Sequence, residues 1–510
     1  MGEKLTGGPE PAWPTIQASD ARCGPPAADR VADTGRVTVN LPPAKPFIVG
    51  RIPAETWRRT PIGDLSWKLK FLGLSWMRPI AGRAHADGQT AVLDALVAQA
   101  VAFHQENPDT GRQAEGWDEG TAMRRLEAEN CLYTLTRSAD LVPGMEADAA
   151  VQFSGRYYGP PHHTVHNHGL MANLQLVRAA DLLHRAGWKR NALDRIAREA
   201  PRAFSPMGTS LEQSAQYQHV NAVLWAEAAD LLETSPGSRD TASKIRRTVD
   251  DAYRMLAWMT QPDGNLVQFG DSDEGKGRPL DLGATPSVRD DVAGFFGGRW
   301  SWTDPETTHY TVRYGPDRRA HGHRDQAGGV TFWADGVRVL VGAGRHSYNH
   351  DDPFRTYQLT PQGENVAVPE PGFVAGGKAK LTEASITPQK HIVTVRDELF
   401  LVPHTRAIEV EPGSMTVSDS FENTEKWSQS WHLDPKWKLT SRSGDWMVFK
   451  HPGGRTLTVT TTGRIAKVQR GAVGTETAGW HFPSAGVKQP AYQITIANNG
   501  RECTTRFQVR

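Results

Sequence analysis

The feature that most constrains this chain is a change of hydrophobic period near its middle. From about Trp57 to Thr260 the apolar residues recur every three or four positions. In "DGQTAVLDALVAQAVAFHQENPD", Val92, Leu93, Leu96, Val97, Ala100 and Phe103 share one helical face, and Asn107-Pro108 stops the run. "WDEGTAMRRLEAENCLYTLTR", "NHGLMANLQLVRAADLLHRAG", "SLEQSAQYQHVNAVLWAEAADLLE" and "SRDTASKIRRTVDDAYRMLAWMTQ" repeat the pattern, the second of these ending in a Gly C-cap signal. Successive helices with no strand between them pack as antiparallel pairs in a bundle, superhelix or toroid. From Tyr310 onward the period is two. "GGVTFWADGVRVLVGAG" carries Asp335-Gly336, a two-residue hairpin signal, and "WMVFKHPGGRTLTVTTTG" turns at Pro-Gly-Gly. Helices first and antiparallel strands second define an α+β, multidomain chain, with the change of texture near residues 276–296.

At 510 residues the chain is too long for one ordinary core. A formal net charge of +1 argues against a nucleic-acid partner, while a basic cleft for an anionic ligand fits inside a neutral total. The 3 cysteines, Cys23, Cys131 and Cys503, are far apart and odd in number, so unpaired thiols are expected. No apolar run is long enough to span a membrane, and the first thirty residues show no leader-like apolar core. The expectation is therefore no membrane partner and a cytoplasmic location.

Four segments could carry chemistry. "HHTVHNHG" presents His162, His163, His166, Asn167 and His168 just before a helix, with Asn167 placed to cap it. "SLEQSAQYQHV" holds Glu212, Gln213 and Tyr217, whose phenol is protonated at neutral pH and able to donate to a leaving oxygen. "PDGNLVQFGDSDEG" gathers Asp263, Asp271, Asp273 and Glu274 in a turn-rich connector without EF-hand spacing. "HGHRD" puts His321 and His323 on one side of an extended chain.

Taken in order, these segments resemble the heparinase II/III-like polysaccharide lyases. "LSWKLKFLGLSW", "GWDEGTAMRRLEAENCL", "HNHGLMANLQL", "SLEQSAQYQHV", "DGNLVQFGDSDEG" and "HGHRDQAGGVTFWADGVRVLVGAG" carry the likeness, from about Trp57 to the 360s. The resemblance implies an incomplete (α/α) toroid followed by an antiparallel β-sandwich or multi-sheet domain. The expected boundaries are an extended arm over 1–45, the toroid over 46–285 and the sheets over 286–510.

It also implies β-elimination on a uronic-acid-containing poly- or oligosaccharide. Asn167 and His168 would meet the uronate carboxylate, Tyr217 would protonate the leaving oxygen, and Tyr348 or His321 would take the C5 proton. Tyr357 is the rival of Tyr348. His166, Gln213, Arg345, Arg355 and Tyr357 are the expected substrate contacts, Arg being suited to carboxylates and sulfates. The family's divalent metal, commonly zinc, would be held by His323 and two further ligands. Here Gly342 and Glu364 stand at those two positions, with His346, His350, Asp351 or Asp352 available to compensate. Two other readings stay open. A glycoside hydrolase would need paired carboxylates, for which Glu212 with Asp271 or Asp273 are the candidates. A non-catalytic glycan-binding protein would keep the fold alone.

Overall fold

The computed structural model describes residues 23, 38–39, 47–48, 52–58, 60, 65–111, 116–158, 167–316, 322–342, 344–349, 351–370, 372, 376–424, 426–472 and 477–510. The chain divides into two compact units. One comprises residues 1–164 and 168–195, the other residues 165–167 and 196–510.

The first unit is helical. Its longer elements are Leu65–Leu72, Met77–Ala86, Thr90–Glu106, Glu119–Thr136, Val142–Phe153 and most of Asn167–Leu182, with the start of Ala186–Ala203. Asp118 caps the helix Glu119–Thr136 by accepting from Thr121 N at 3.0 Å. Arg125 on that helix is fully buried. It donates to Asp148 Oδ2 (2.7 Å), Leu72 O (3.2 Å) and Gly116 O (2.7 Å), and its guanidinium lies over Phe103 and Trp117. Buried charge is tolerated there because every direction has a partner.

The structure differs from the sequence reading in three places here. Cys23 and Cys131 form a disulfide across 108 residues, leaving only Cys503 as a free, buried thiol. The helices Leu65–Leu72, Met77–Ala86, Val142–Phe153 and Ala186–Ala203 are additional to the expected series. His184, not a glycine, takes the left-handed position after the helix Asn167–Leu182, and Gly187 lies inside the next helix. Among the described residues no helix is long and apolar enough to cross a membrane.

The second unit opens with the helix pair Ala215–Glu233 and Arg239–Trp258, which the expected domain boundary at 285/286 had grouped with the earlier helices. The buried Gln218 amide locks this pair, donating to Gly208 O (2.8 Å) and Ala252 O (2.9 Å) while accepting from Ser210 N (2.6 Å). Antiparallel sheets follow. A five-stranded sheet runs from Ser287–Asp290 through Phe295–Arg299, His309–Arg313 and Gly329–Ala334 to Val337–Leu340. Its three inner strands are buried at every position, so both faces are covered, and Trp258, the last residue of the Arg239–Trp258 helix, holds His309 Nε2 at 2.9 Å through its carbonyl. The Asp335-Gly336 hairpin forms as expected, Ala334 opposite Val337, with φ of 50° and 80° at the two turn residues. Eight-, four- and two-stranded antiparallel sheets complete the unit, with an apolar core that includes Trp427, Trp431, Trp437 and Phe507.

Candidate active site

Three local structures in the second unit bring the chemistry-bearing side chains together. Ser214 caps the helix Ala215–Glu233 by accepting from Tyr217 N at 3.3 Å, which fixes Tyr217 in the first turn. The same hydroxyl donates to Asp271 O at 2.9 Å, and Gln216 Oε1 accepts from Asp273 N at 2.9 Å. Those bonds stitch the 271–273 segment to the start of the helix. Gly270 allows this approach: its φ is 56°, and a Cβ there would meet Gln213 O at 2.5 Å. The third piece is the loop 344–349. Asp352 holds it by accepting from Ser347 Oγ (2.6 Å), lying 2.5 Å from His346 Nδ1, and capping the short helix Pro353–Gln358.

The result is a chain of hydrogen bonds. Tyr217 Oη and Tyr348 Oη lie 2.9 Å apart, and Tyr348 Oη donates to Asp271 Oδ2. Arg345 Nη1 donates to Tyr348 Oη at 2.6 Å and Arg355 Nη1 to Asp271 Oδ1 at 3.1 Å. The two guanidinium carbons stand 4.9 and 5.3 Å from the Tyr348 ring centre. Asp273 holds Arg345 in place, accepting from Nε at 3.0 Å and from Nη2. Burial and the Asp271 charge push both phenols above the ordinary tyrosine range, while Arg345 pulls in the opposite direction. Both phenols are therefore protonated at rest, and each has a neighbour to which a proton can pass.

Beyond Asp271 the chain reaches His323, whose Nε2 lies 3.4 Å from Asp271 Oδ1 and whose Nδ1 lies 2.7 Å from Glu364 Oε1. Burial opposes an imidazolium there, but the two carboxylates reverse the effect and raise His323 to about 9. Burial pushes the Glu364 carboxyl up. This donor set does not fit zinc. Two ligands about 2.0 Å from one tetrahedral ion stand roughly 3.3 Å apart, wider than the His323–Glu364 contact. At 342, where the family's third ligand would stand, a Cβ would run into Gln268 O, which also accepts from Gly342 N at 3.0 Å. His323 and Glu364 meet as a proton-sharing pair.

The other expected site residues fall as follows. Asn167 is the first residue of its helix rather than a cap: its side-chain Oδ1 is buried without a hydrogen bond among the described residues, and its main-chain N donates to Glu212 Oε1 at 3.1 Å. His168 belongs to the helical unit, with Nδ1 3.9 Å from Glu119 Oε1. Gln213 donates its amide to Ala293 O and Pro316 O, both at 2.9 Å, which makes it a brace between segments. Tyr357 turns toward the four-stranded sheet, donating to Gln362 O (3.0 Å) and to Gln493, so Tyr348 is the tyrosine that meets Tyr217. His166, His321 and His350 lie outside the described residues. The carboxylates considered for hydrolysis are engaged elsewhere: Asp271 by Tyr348 and Arg355, Asp273 by Arg345, and Glu212 by Asn167 N and Asn221 Nδ2 (2.9 Å). Sequence reasoning did not bring Asp271 to Tyr348 and Arg355. The only signal was its acidic, Gly-flanked segment, which reads equally well as a turn.

A helical unit followed by antiparallel sheets is a fold of the polysaccharide-lyase type. Residues 290–510 match the family model described as heparinase II/III-like, C-terminal. No curated protein sequence matches the chain. Among solved structures, a heparinase III is similar at 14% identity with a TM-score of 0.75, covering 89% of this chain and 79% of that one. The heparan sulfate lyase HepC from Pedobacter heparinus is similar at 14% identity and TM-score 0.63, covering 98% and 84%. A Streptomyces coelicolor chondroitin AC lyase, solved with chondroitin sulphate, reaches 0.54 at 11% identity, covering 87% and 74%. At such identities the likeness is one of fold: an incomplete (α/α) toroid followed by antiparallel sheets.

Proposed function

We propose that this protein is a polysaccharide lyase that cleaves a uronic-acid-containing glycan by β-elimination, leaving a 4,5-unsaturated uronate. The observation that carries this reading is the 2.9 Å contact between Tyr217 Oη and Tyr348 Oη, with Tyr348 bonded in turn to Asp271. Elimination needs one group to take the C5 proton and another to protonate the C4 oxygen. In this scheme Tyr348 accepts the C5 proton while its own proton passes to Asp271. The C5–H electron pair forms the C4–C5 double bond, the C4–O bond breaks, and Tyr217 gives its proton to the departing oxygen. Asp271 then returns a proton through Tyr348 to Tyr217, which restores the starting state without water. Arg345 and Arg355 stabilise negative charge on Tyr348 during the transfer. The amide of Asn167 at its helix N-terminus is suited to the substrate carboxylate.

The test is incubation with alginate, hyaluronan, heparan sulfate and glucuronan, following absorbance of the unsaturated uronate. Silence across that panel removes the reading; reducing ends without a double bond would point to hydrolysis instead. For location, the Cys23–Cys131 bond favours an oxidising compartment over the cytoplasm. Alkylation of the protein isolated from its native cell, with and without reductant, decides this by mass.

A further inference from the structure

A cavity in the sheet-bearing unit is lined by residues other than the tyrosine pair. Its volume is about 1070 Å³, at the upper end of ligand-binding clefts. Its inner end reaches Glu212 and Asn221, the residues bonded to each other and, through Glu212, to Asn167 N. Its lining includes Arg202, Arg289, Lys378 and Lys380, all exposed, from three separate parts of the chain. Lys378 and Lys380 stand on the same side of an extended segment, with Ala379 buried between them. Arg289 is held by Asp291 and by donating to Leu381 O at 3.0 Å. Tyr314 donates to the same Asp291 at 2.8 Å, so that acid is already engaged. Arg202, Lys378 and Lys380 have no side-chain acceptor among the described residues. Three of the cavity's four cations, Arg202, Lys378 and Lys380, are therefore unpaired among the described residues, while Arg289 is held by Asp291.

We propose that this cavity is a binding subsite for the anionic sugars beyond the cleaved linkage, and that it makes the protein select oligosaccharides longer than a disaccharide. The inference rests on the lyase reading for which linkage is cut, but the binding stands on the cavity and its charges. The ligand is a polyanionic oligosaccharide whose carboxylates or sulfates meet Lys378, Lys380 and Arg202. A neutral glycan would leave the three charges unmatched.

An edge strand also carries lysine to repel other strands, and Lys380 begins such an edge. That role predicts self-association, not loss of affinity, when the lysines are removed. The experiment compares Tyr217→Phe, which blocks turnover, with Tyr217→Phe carrying Lys378→Ala and Lys380→Ala, by calorimetry. The probes are alginate and heparan sulfate di- and hexasaccharides, which separate carboxylate from sulfate recognition. The expected result is about a tenfold weaker hexasaccharide affinity in the triple variant, an unchanged disaccharide affinity, and a difference that shrinks as salt is raised. Equal hexasaccharide affinity in the two proteins overturns the subsite, as does an equal loss for both lengths. If the wild-type protein forms no unsaturated product yet the length-dependent loss persists, the lyase reading fails and the subsite stands. Product formation with no change in binding gives the reverse.

Discussion

Two buried histidines in the sheet-bearing unit sit in nearly the same electrostatic setting and end in opposite conditions. His404 lies between Asp397 (Nδ1 to Oδ2, 2.7 Å) and Asp419 (Nε2 to Oδ1, 2.8 Å). His323 lies between Glu364 and Asp271. Burial opposes the charge in both, and flanking carboxylates raise both to about 9. The network around His404 is closed. Asp419 also accepts from Arg406 Nε (2.6 Å) and Nη2 (2.9 Å) and from Gln429 (2.7 Å), while Arg406 Nη1 donates to Gly328 O and Asn365 O. The network around His323 is open. His323 Nε2, Asp325 Oδ1 and two Arg313 nitrogens lack hydrogen bonds among the described residues, and Asp271 hands its other oxygen to Tyr348. A polar network that closes on itself fixes a fold. One that stays incomplete at one end retains capacity for a ligand or a moving proton.

The largest expected effect tests the open end. Tyr217→Phe and Tyr348→Phe should each lower kcat by about 10³-fold, within the range for loss of a general acid or base. Thermal melting should move little for Tyr217→Phe, and by about 1 kcal/mol for Tyr348→Phe, which takes a donor from buried Asp271. Initial rates of double-bond formation with matched melting curves check both. Loss of rate only in proportion to loss of folded protein would make the tyrosines structural, like His404.

The closed network predicts the reverse split. Asp419→Asn should cost about 3 kcal/mol of stability, because it leaves His404 and Arg406 short of an anion in a buried site. Turnover per folded molecule should stay unchanged. Urea denaturation and active-site-normalised rates measure the two quantities, and a specific loss of kcat would erase the distinction.

These contrasts also mark how far the sequence could be read. The change of period located helices and sheets, and the Asp335-Gly336 turn gave a register that the structure reproduces. Tyr217's place on a helix was legible because local periodicity encodes that helix. Asp271 was not, since its partners Tyr348 and Arg355 lie 77 and 84 residues away and no local pattern encodes that meeting. The choice between Tyr348 and Tyr357 was beyond the sequence for the same reason: it depends on Asp352 folding the 344–349 loop back on itself. The Cys23–Cys131 pairing spans 108 residues, and spacing alone does not encode such a bond. Gln213 resembled a substrate contact because a buried amide serves equally as a brace.

A smaller effect follows from pH. His404 binds its proton more tightly folded, at about 9, than at its ordinary 6.5. Its contribution to stability is therefore full below about 6.5 and is lost as pH rises through about 9. His323 titrates in the same window with the same sign. The wild-type melting temperature should fall between pH 6.5 and 9, and the fall should be shallower in His404→Gln, with the part due to His323 remaining. A slope that His404→Gln leaves untouched would show that His404 binds its proton no more tightly in the fold.

The smallest effect separates the rival tyrosines. The half-buried Tyr357 places its hydroxyl within hydrogen-bond reach of Gln362 O and of Gln493 Oε1 on the four-stranded sheet. Removing its hydroxyl leaves those acceptors short of one donor, a loss of about 1 kcal/mol. Gln493 also donates to Gln362 O (3.1 Å) and Ser430 Oγ (3.1 Å), so the sheet keeps its other ties there. Tyr357→Phe should thus melt slightly earlier and turn over substrate at the wild-type rate, with KM unchanged. The hydroxyl that matters for rate would then be the one 2.9 Å from Tyr217, although both tyrosines follow the same hairpin within ten residues of each other. A large kcat loss in Tyr357→Phe with stability intact would move the proton chain to the other tyrosine and break the division between open and closed networks.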